Sequence, residues 1–190
     1  ALERIKSGVS SDLIGRIYKG DATLKSKLPC VCFGGEFSSR TNDGLIKHSG
    51  FTILDFDHTK DADDPSASAR AFRESLRDDE FIYAAWMSPS MKGVKALVKI
   101  PIVTSDAEYK EYYNALLLTY PELDTSTTDI SRISFESFDK NLWINESAKV
   151  WTTRVNLGEG ESNTIMDVPL KMMEGAEKGE KHNTLLRASR

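Results

Sequence analysis

The stretch Phe51-Thr52-Ile53-Leu54-Asp55-Phe56-Asp57-His58-Thr59 constrains this chain more than any other, because an apolar run with the make-up of a buried strand ends in two carboxylates. A strand alternates its faces with period 2, so Asp55 and Asp57 project from one face, roughly 7 Å apart at Cα, with Phe51 and Ile53 beneath them. Like charges left unpaired at a strand end are costly unless a cation or several donors compensate, and a divalent metal is the simplest compensation. The plainer alternative is that Asp-x-Asp merely ends the strand and caps the turn after it.

With 190 residues, 39% hydrophobic and 28% charged, the chain suits one domain with an ordinary core and a short appendage. No apolar run reaches the length that spans a bilayer, and Ala1 to Gly8 carries no signal-peptide core. A cytoplasmic setting without a membrane partner is the expectation. The net charge of −4 argues against a non-specific coater of duplexes, so a nucleic-acid partner must be gripped by a local basic patch. Cys30 and Cys32 would share one strand face; with no second Cys/His pair nearby they make no zinc site, and reduced, partly buried thiols are expected.

In chain order, residues 10–19 place Leu13, Ile14, Ile17 and Tyr18 on one helical stripe. Residues 29–33 read as a short strand, and 34–44 as a long polar loop in which Arg40 is a candidate template or nucleotide contact; Lys47 and His48 read as solvated. A helix over 66–77 buries Ala69, Phe72 and Leu76, and strands 81–87 and 94–100 form a hairpin whose polar tip is Ser88 to Gly93. In the second strand Val94, Ala96, Val98 and Ile100 face one way and Lys95, Leu97 and Lys99 the other. Residues 104–119 suit an amphipathic helix capped at Thr104 or Ser105, ended by Pro121. Apolar residues follow around Ile133 and Phe135, and 150–153 reads as an edge strand. The expected organisation is a domain over 1–155, a linker over 156–166 and the start of a helical module over 167–190 that stops in mid-pattern.

Three features fall at strand ends: Asp55/Asp57, the tip Ser90-Met91-Lys92-Gly93 leading to Lys95, and the segment Asp124…Asp129…Arg132. Carboxylates for metals with cations and hydroxyls for phosphates are what phosphoryl chemistry needs. On these residues the sequence resembles the archaeo-eukaryotic primase (primase-polymerase) superfamily, nearest to the VirE N-terminal-type domains of bacterial mobile elements and phages, over about Lys27 to Asn145. Its first motif, apolar residues and then acid-x-acid, is matched by Ile53-Leu54-Asp55-Phe56-Asp57. Its second, a serine- and glycine-bearing turn leading to a phosphate-contacting histidine, is matched by Ser90, Gly93 and Lys95, with lysine for histidine and Met91 where glycine is frequent. Its third is matched by Leu123-Asp124, Thr127-Thr128 and Arg132.

The resemblance implies an α+β fold with a mixed or antiparallel central sheet, the RRM-like primase-polymerase core, flanked by helices and followed by a short C-terminal helical appendage. It implies a DNA primase or primase-polymerase that carries out template-dependent nucleotidyl transfer in replication of a mobile element or phage. Asp55, Asp57 and Asp124 would be catalytic and hold two Mg²⁺ or Mn²⁺ ions, with Asp129 in reserve; Ser90, Lys92, Lys95 and Arg132 would bind the nucleotide. Arg40 and His58 would touch template or nucleotide. Single-stranded DNA template and nucleoside triphosphates are the implied partners, with a downstream helicase or helical primase C-terminal domain. Two other readings stay open: a haloacid-dehalogenase-type phosphatase with Asp55 as nucleophile in Asp-x-Asp-x-Thr, and a degenerate domain that binds nucleic acid or nucleotide without turnover.

Overall fold

Val94, Ala96 and Val98 point to one face of a strand and Lys95, Leu97 and Lys99 to the other, and the central sheet is built around that strand. The computed structural model describes residues 1–57, 59, 62–126 and 128–156, with the backbone of residues 165–166. In order the elements are α1 (Leu2–Ser7), α2 (Ser11–Tyr18), β1 (Cys30–Cys32), β2 (Gly35–Phe37), β3 (Leu45–His48), β4 (Phe51–Phe56), α3 (Pro65–Ser75), β5 (Ile82–Met87), β6 (Val94–Lys99), α4 (Asp106–Thr119), β7 (Ile133–Phe135), β8 (Trp143–Ile144), β9 (Arg154–Val155) and β10 (Ile165–Met166). The fold is α+β with antiparallel sheets.

The four-stranded sheet runs β4-β6-β5-β8 with every pairing antiparallel, so β4 and β5 are parallel to each other with β6 between them. On the outer edge of β4, Phe56 makes an antiparallel bridge to Leu123, which follows α4. One face of the sheet carries Leu54, Phe56, Ala85, Val94, Ala96 and Val98 against α3 and α4. Leu54 and Phe56 are fully buried there, worth about 1.5–3 kcal/mol each. Ser105 caps α4 by accepting from the Glu108 amide at 3.2 Å, and Tyr109, Tyr112 and Tyr113 are core residues. The other face is shorter: Ile53, Ala84, Trp86 and Leu97 pack on Ile5 of α1 and on Phe33. A third apolar cluster, Ile14, Ile17, Leu24 and Leu28, fastens α2 to the 3-10 turn Ala22–Lys27.

Four expectations change. Residues 34–44 are not simply a loop, because β2 pairs with β3, and Gly35 lies so close to the Lys47 carbonyl that a side chain at that position would collide. Residues 150–153 form no strand; Val150 makes one bridge to Lys99, and pairing resumes only at β9 with β10. Tyr18, placed on one stripe with Ile14 and Ile17, is 52% exposed while those two are buried. His48 is not solvated but buried, its Nδ1 accepting from the amides of Gly50 (3.2 Å) and Val103 (3.3 Å). Most of the expected linker and the helical module expected over 167–190 lie outside the described residues.

The His48 environment has a pH signature. Burial pushes its pKa below the ordinary imidazole range, and the accepting Nδ1 requires the neutral ring. Above about pH 6.5 folded and unfolded chains are both neutral here; below it the unfolded chain takes up a proton that the folded one resists, so stability falls with falling pH. Melting curves between about pH 7 and about pH 5 should drop more steeply for wild type than for His48→Gln, since glutamine keeps an acceptor but does not titrate in that range. Parallel curves would show that His48 is not the titrating group.

Candidate active site

Register decides the centre of the site. On the face that carries Ile53 and Leu97, Asp55 of β4 lies directly opposite Lys95 of β6, which lies opposite Trp86 of β5. Lys95 Nζ donates to Asp55 Oδ2. With the lysine side chain 11% exposed and the aspartate side chain 21%, water screens this pair far less than a surface pair. Asp57 lies just past the end of β4, its Oδ1 against Gly93, where a Cβ would fall 2.7 Å from that oxygen and 2.8 Å from the Phe56 carbonyl. The glycine is therefore what lets the hairpin tip close over the acid pair.

That tip is held by the Ser88 amide donating to the Gly93 carbonyl at 2.8 Å and the Met91 amide to the Ser88 carbonyl at 2.9 Å. Thr59 Oγ1 donates to the Lys92 carbonyl at 2.6 Å, tying the chain after β4 to the turn. Met91 adopts φ 59°, a left-handed conformation that costs a non-glycine residue about 1–2 kcal/mol. That is the physical reason a glycine suits this position, and the methionine side chain offsets the strain by packing between two apolar clusters.

Two adjoining clefts open here. The larger, about 380 Å³, is lined by Asp55, Asp57, Ser88, Ser90, Lys92 and Lys95, with Lys25 from the 3-10 turn and Tyr18 from α2. The smaller, about 250 Å³, shares Lys25, Asp55 and Lys95 and adds Arg40, Arg132 and Phe135. The structure thus brings together Asp55, Asp57, Ser90, Lys92, Lys95, Arg40 and Arg132. Asp124 is placed differently: its amide donates to the Asp55 carbonyl at 2.9 Å, but its carboxylate accepts from the Ser126 amide at 2.9 Å and it lines neither cleft. Asp129, also outside both clefts, lies 3.7 Å from the Arg132 guanidinium. Among the described residues no group of three or more His, Cys, Asp or Glu is gathered to hold a metal ion. His58 and Thr127 lie outside the described residues.

Cys32 donates weakly to the Ile130 carbonyl at 3.6 Å and burial raises its pKa, so neither spacing nor reactivity marks a thiol site.

Residues 23–143 match the family model described as BT4734-like, N-terminal domain. The chain belongs to the BT4734-like N-terminal domain family. The matched span holds all of the candidate acids and cations, including one that sequence reasoning missed. No curated protein and no solved structure matches the chain. In this BT4734-like domain the missed residue is Lys25, which lines both clefts with its Nζ 5.9 Å from the centre of the Phe135 ring. Nothing in Ala22-Thr23-Leu24-Lys25-Ser26-Lys27 distinguishes it; only the packing of Leu24 and Leu28 under α2 turns it toward the acids.

Proposed function

We propose that the chain is a template-dependent nucleotidyl transferase, a DNA primase or primase-polymerase domain acting in replication of a mobile element or phage. The observation that carries this reading is the meeting of Asp55 and Asp57 with Ser90, Lys92, Lys95 and Lys25 in one cleft, continued by Arg40 and Arg132 in the next. Two carboxylates beside three lysines and two serines suit a triphosphate and its divalent ion. The order β4-α3-β5-β6-α4 and then the Leu123 bridge, with β6 between β4 and β5 and Leu123 beyond β4, supports an RRM-like core of split β-α-β units. The same order weighs against the phosphatase, which uses a parallel sheet, whereas β4 pairs antiparallel with β6.

An all-oxygen pair of carboxylates suits Mg²⁺ or Mn²⁺, with Asp55 and Asp57 as the residues that would hold it and Asp124 adjacent through the Asp55 carbonyl. When bound, the ion supplies activation of a 3′-hydroxyl and neutralisation of the triphosphate. The chain's own cations bind and orient: Lys92, Lys25 and Arg132 on the phosphates, and Arg40 in the adjoining cleft, where template or nucleotide would lie. Ser90, 3.1 Å from Ser88 at Oγ, adds a hydroxyl to the phosphate wall. A downstream helicase or helical primase C-terminal domain completes the proposed partners.

The degenerate-binder reading has one observation in its favour, the Lys95–Asp55 ion pair, which occupies a carboxylate oxygen that a catalytic ion would use. Primer synthesis on single-stranded DNA with Mn²⁺ and nucleoside triphosphates separates the two. Wild type should make primers and Asp55→Ala/Asp57→Ala none. Tight triphosphate binding without synthesis by wild type would favour the degenerate binder, and the absence of both would remove both.

A further inference from the structure

We infer that Lys95 is a resident cation standing in for one divalent ion, so that the cleft takes a single ion, on the Asp57 side, in place of the pair implied by the primase-polymerase resemblance. The inference rests on the proposed function and fixes the cation content of that same site.

Four features carry it. Lys95 and Asp55 are direct cross-strand partners in the continuous β4–β6 register, so their meeting is set by the sheet and not by a chance rotamer on a loop. The ammonium donates to Asp55 Oδ2 from a largely buried side chain, and Trp86, fully buried, fills the next place in the same row. An ion arriving at Asp55 would therefore meet a positive charge already bonded to that carboxylate, and displacing it would strand a mostly buried ammonium. Finally, the third acid lines neither cleft: Asp124 Oδ1 accepts from the Ser126 amide, and among the described residues no three acids gather. Lys25 and Lys92 in the same cleft supply further fixed positive charge facing a triphosphate.

The stand-in also has a chemical consequence. A lysine ammonium neutralises charge as an ion does, but it offers no open coordination position, so it cannot polarise a bound hydroxyl. Asp55 would then hold Lys95, and the ion at Asp57 would bear the triphosphate.

The test counts ions. Mn²⁺ bound per chain is measured by electron paramagnetic resonance titration, with an α,β-imido nucleoside triphosphate present, for wild type, Lys95→Arg and Lys95→Met. Wild type and Lys95→Arg should bind a single Mn²⁺. Lys95→Met, which keeps the apolar stem and bares Asp55, should bind a second. In a wild-type background Asp57→Asn should abolish Mn²⁺ binding, whereas Asp55→Asn, which unpairs the Lys95 ammonium in the same cleft, should only weaken it. Two ions on wild type, or an Asp55→Asn loss equal to that of Asp57→Asn, overturns the inference and leaves the proposed function standing. No Mn²⁺ on wild type or on Lys95→Met overturns both. Should Lys95→Met fail to fold, as judged by its melting transition, the wild-type count and the two aspartate variants decide the matter alone.

Discussion

Gly93→Ala is expected to destabilise the fold by about 1–3 kcal/mol and, in molecules that remain folded, to cut primer synthesis about a hundredfold. The added methyl would lie 2.7 Å from Asp57 Oδ1 and 2.8 Å from the Phe56 carbonyl. The second of these is backbone inside a six-residue ladder with β6, so it cannot give way, and the hairpin tip must lift instead. Lifting it moves Ser90 and Lys92 away from the acids and displaces Asp57 itself. Gly15→Ala is the control, since a Cβ there meets nothing within 4 Å and the residue lies inside α2; it should be neutral or stabilising by about 0.5–1 kcal/mol. Urea melts and the primer assay on both variants check this. A Gly93→Ala protein with wild-type synthesis would mean that the closeness of the tip to Asp57 does not matter for the chemistry.

The largest expected loss of stability is at Asp139, which lines neither cleft. Arg73 of α3 donates through Nη1 to Asp139 Oδ2 at 2.5 Å, with both side chains 4% exposed. The same carboxylate accepts from the Met87 amide at 3.0 Å and the Asn141 amide at 2.9 Å, while the Arg73 carbonyl accepts from Trp143 Nε1 at 3.3 Å. Burial alone would lower the arginine pKa, and its hydrogen bonds to Asp139 and Glu74 more than reverse that. Asp139→Ala leaves the buried guanidinium with Glu74 as its remaining carboxylate partner and two amides unsatisfied, and should cost about 3 kcal/mol. For a chain of this size that lowers Tm by roughly 10 °C. Arg73→Met/Asp139→Leu removes both charges and should recover most of the loss. Calorimetry on the single and double variants decides it; a double variant as unstable as the single would mean that the lost hydrogen bonds, and not the buried Arg73 charge, dominate.

Asp139 also shows where the sequence stops being legible. Asp139-Lys140-Asn141 reads correctly as a turn, because Asp139 Oδ1 does accept from the Asn141 amide. Its second oxygen is committed to α3, 66 residues away, and no local pattern reports that. The acid pair behaves in the same way. The apolar run into Asp55 and Asp57, the alternation of Val94 to Lys99 and the Ser105 cap of α4 are signals carried by neighbouring residues, and each element formed close to where the sequence put it. The third acid was legible only as a residue type: Asp124 reached β4 by its backbone, and one oxygen of its carboxylate accepts from the Ser126 amide.

By itself the sequence determined strands β1, β4, β5 and β6 and the ending of β4 in Asp-x-Asp, because period-2 alternation and capping are properties of contiguous residues. Only the tertiary structure decided that Lys95 lies on Asp55 across 40 positions of chain, that Lys25 from the N-terminal turn joins it, and that Arg40 and Arg132 line the same opening. Those juxtapositions follow from strand order and register, which are fixed by how whole faces bury against α1, α3 and α4 and are invisible to any short window of sequence.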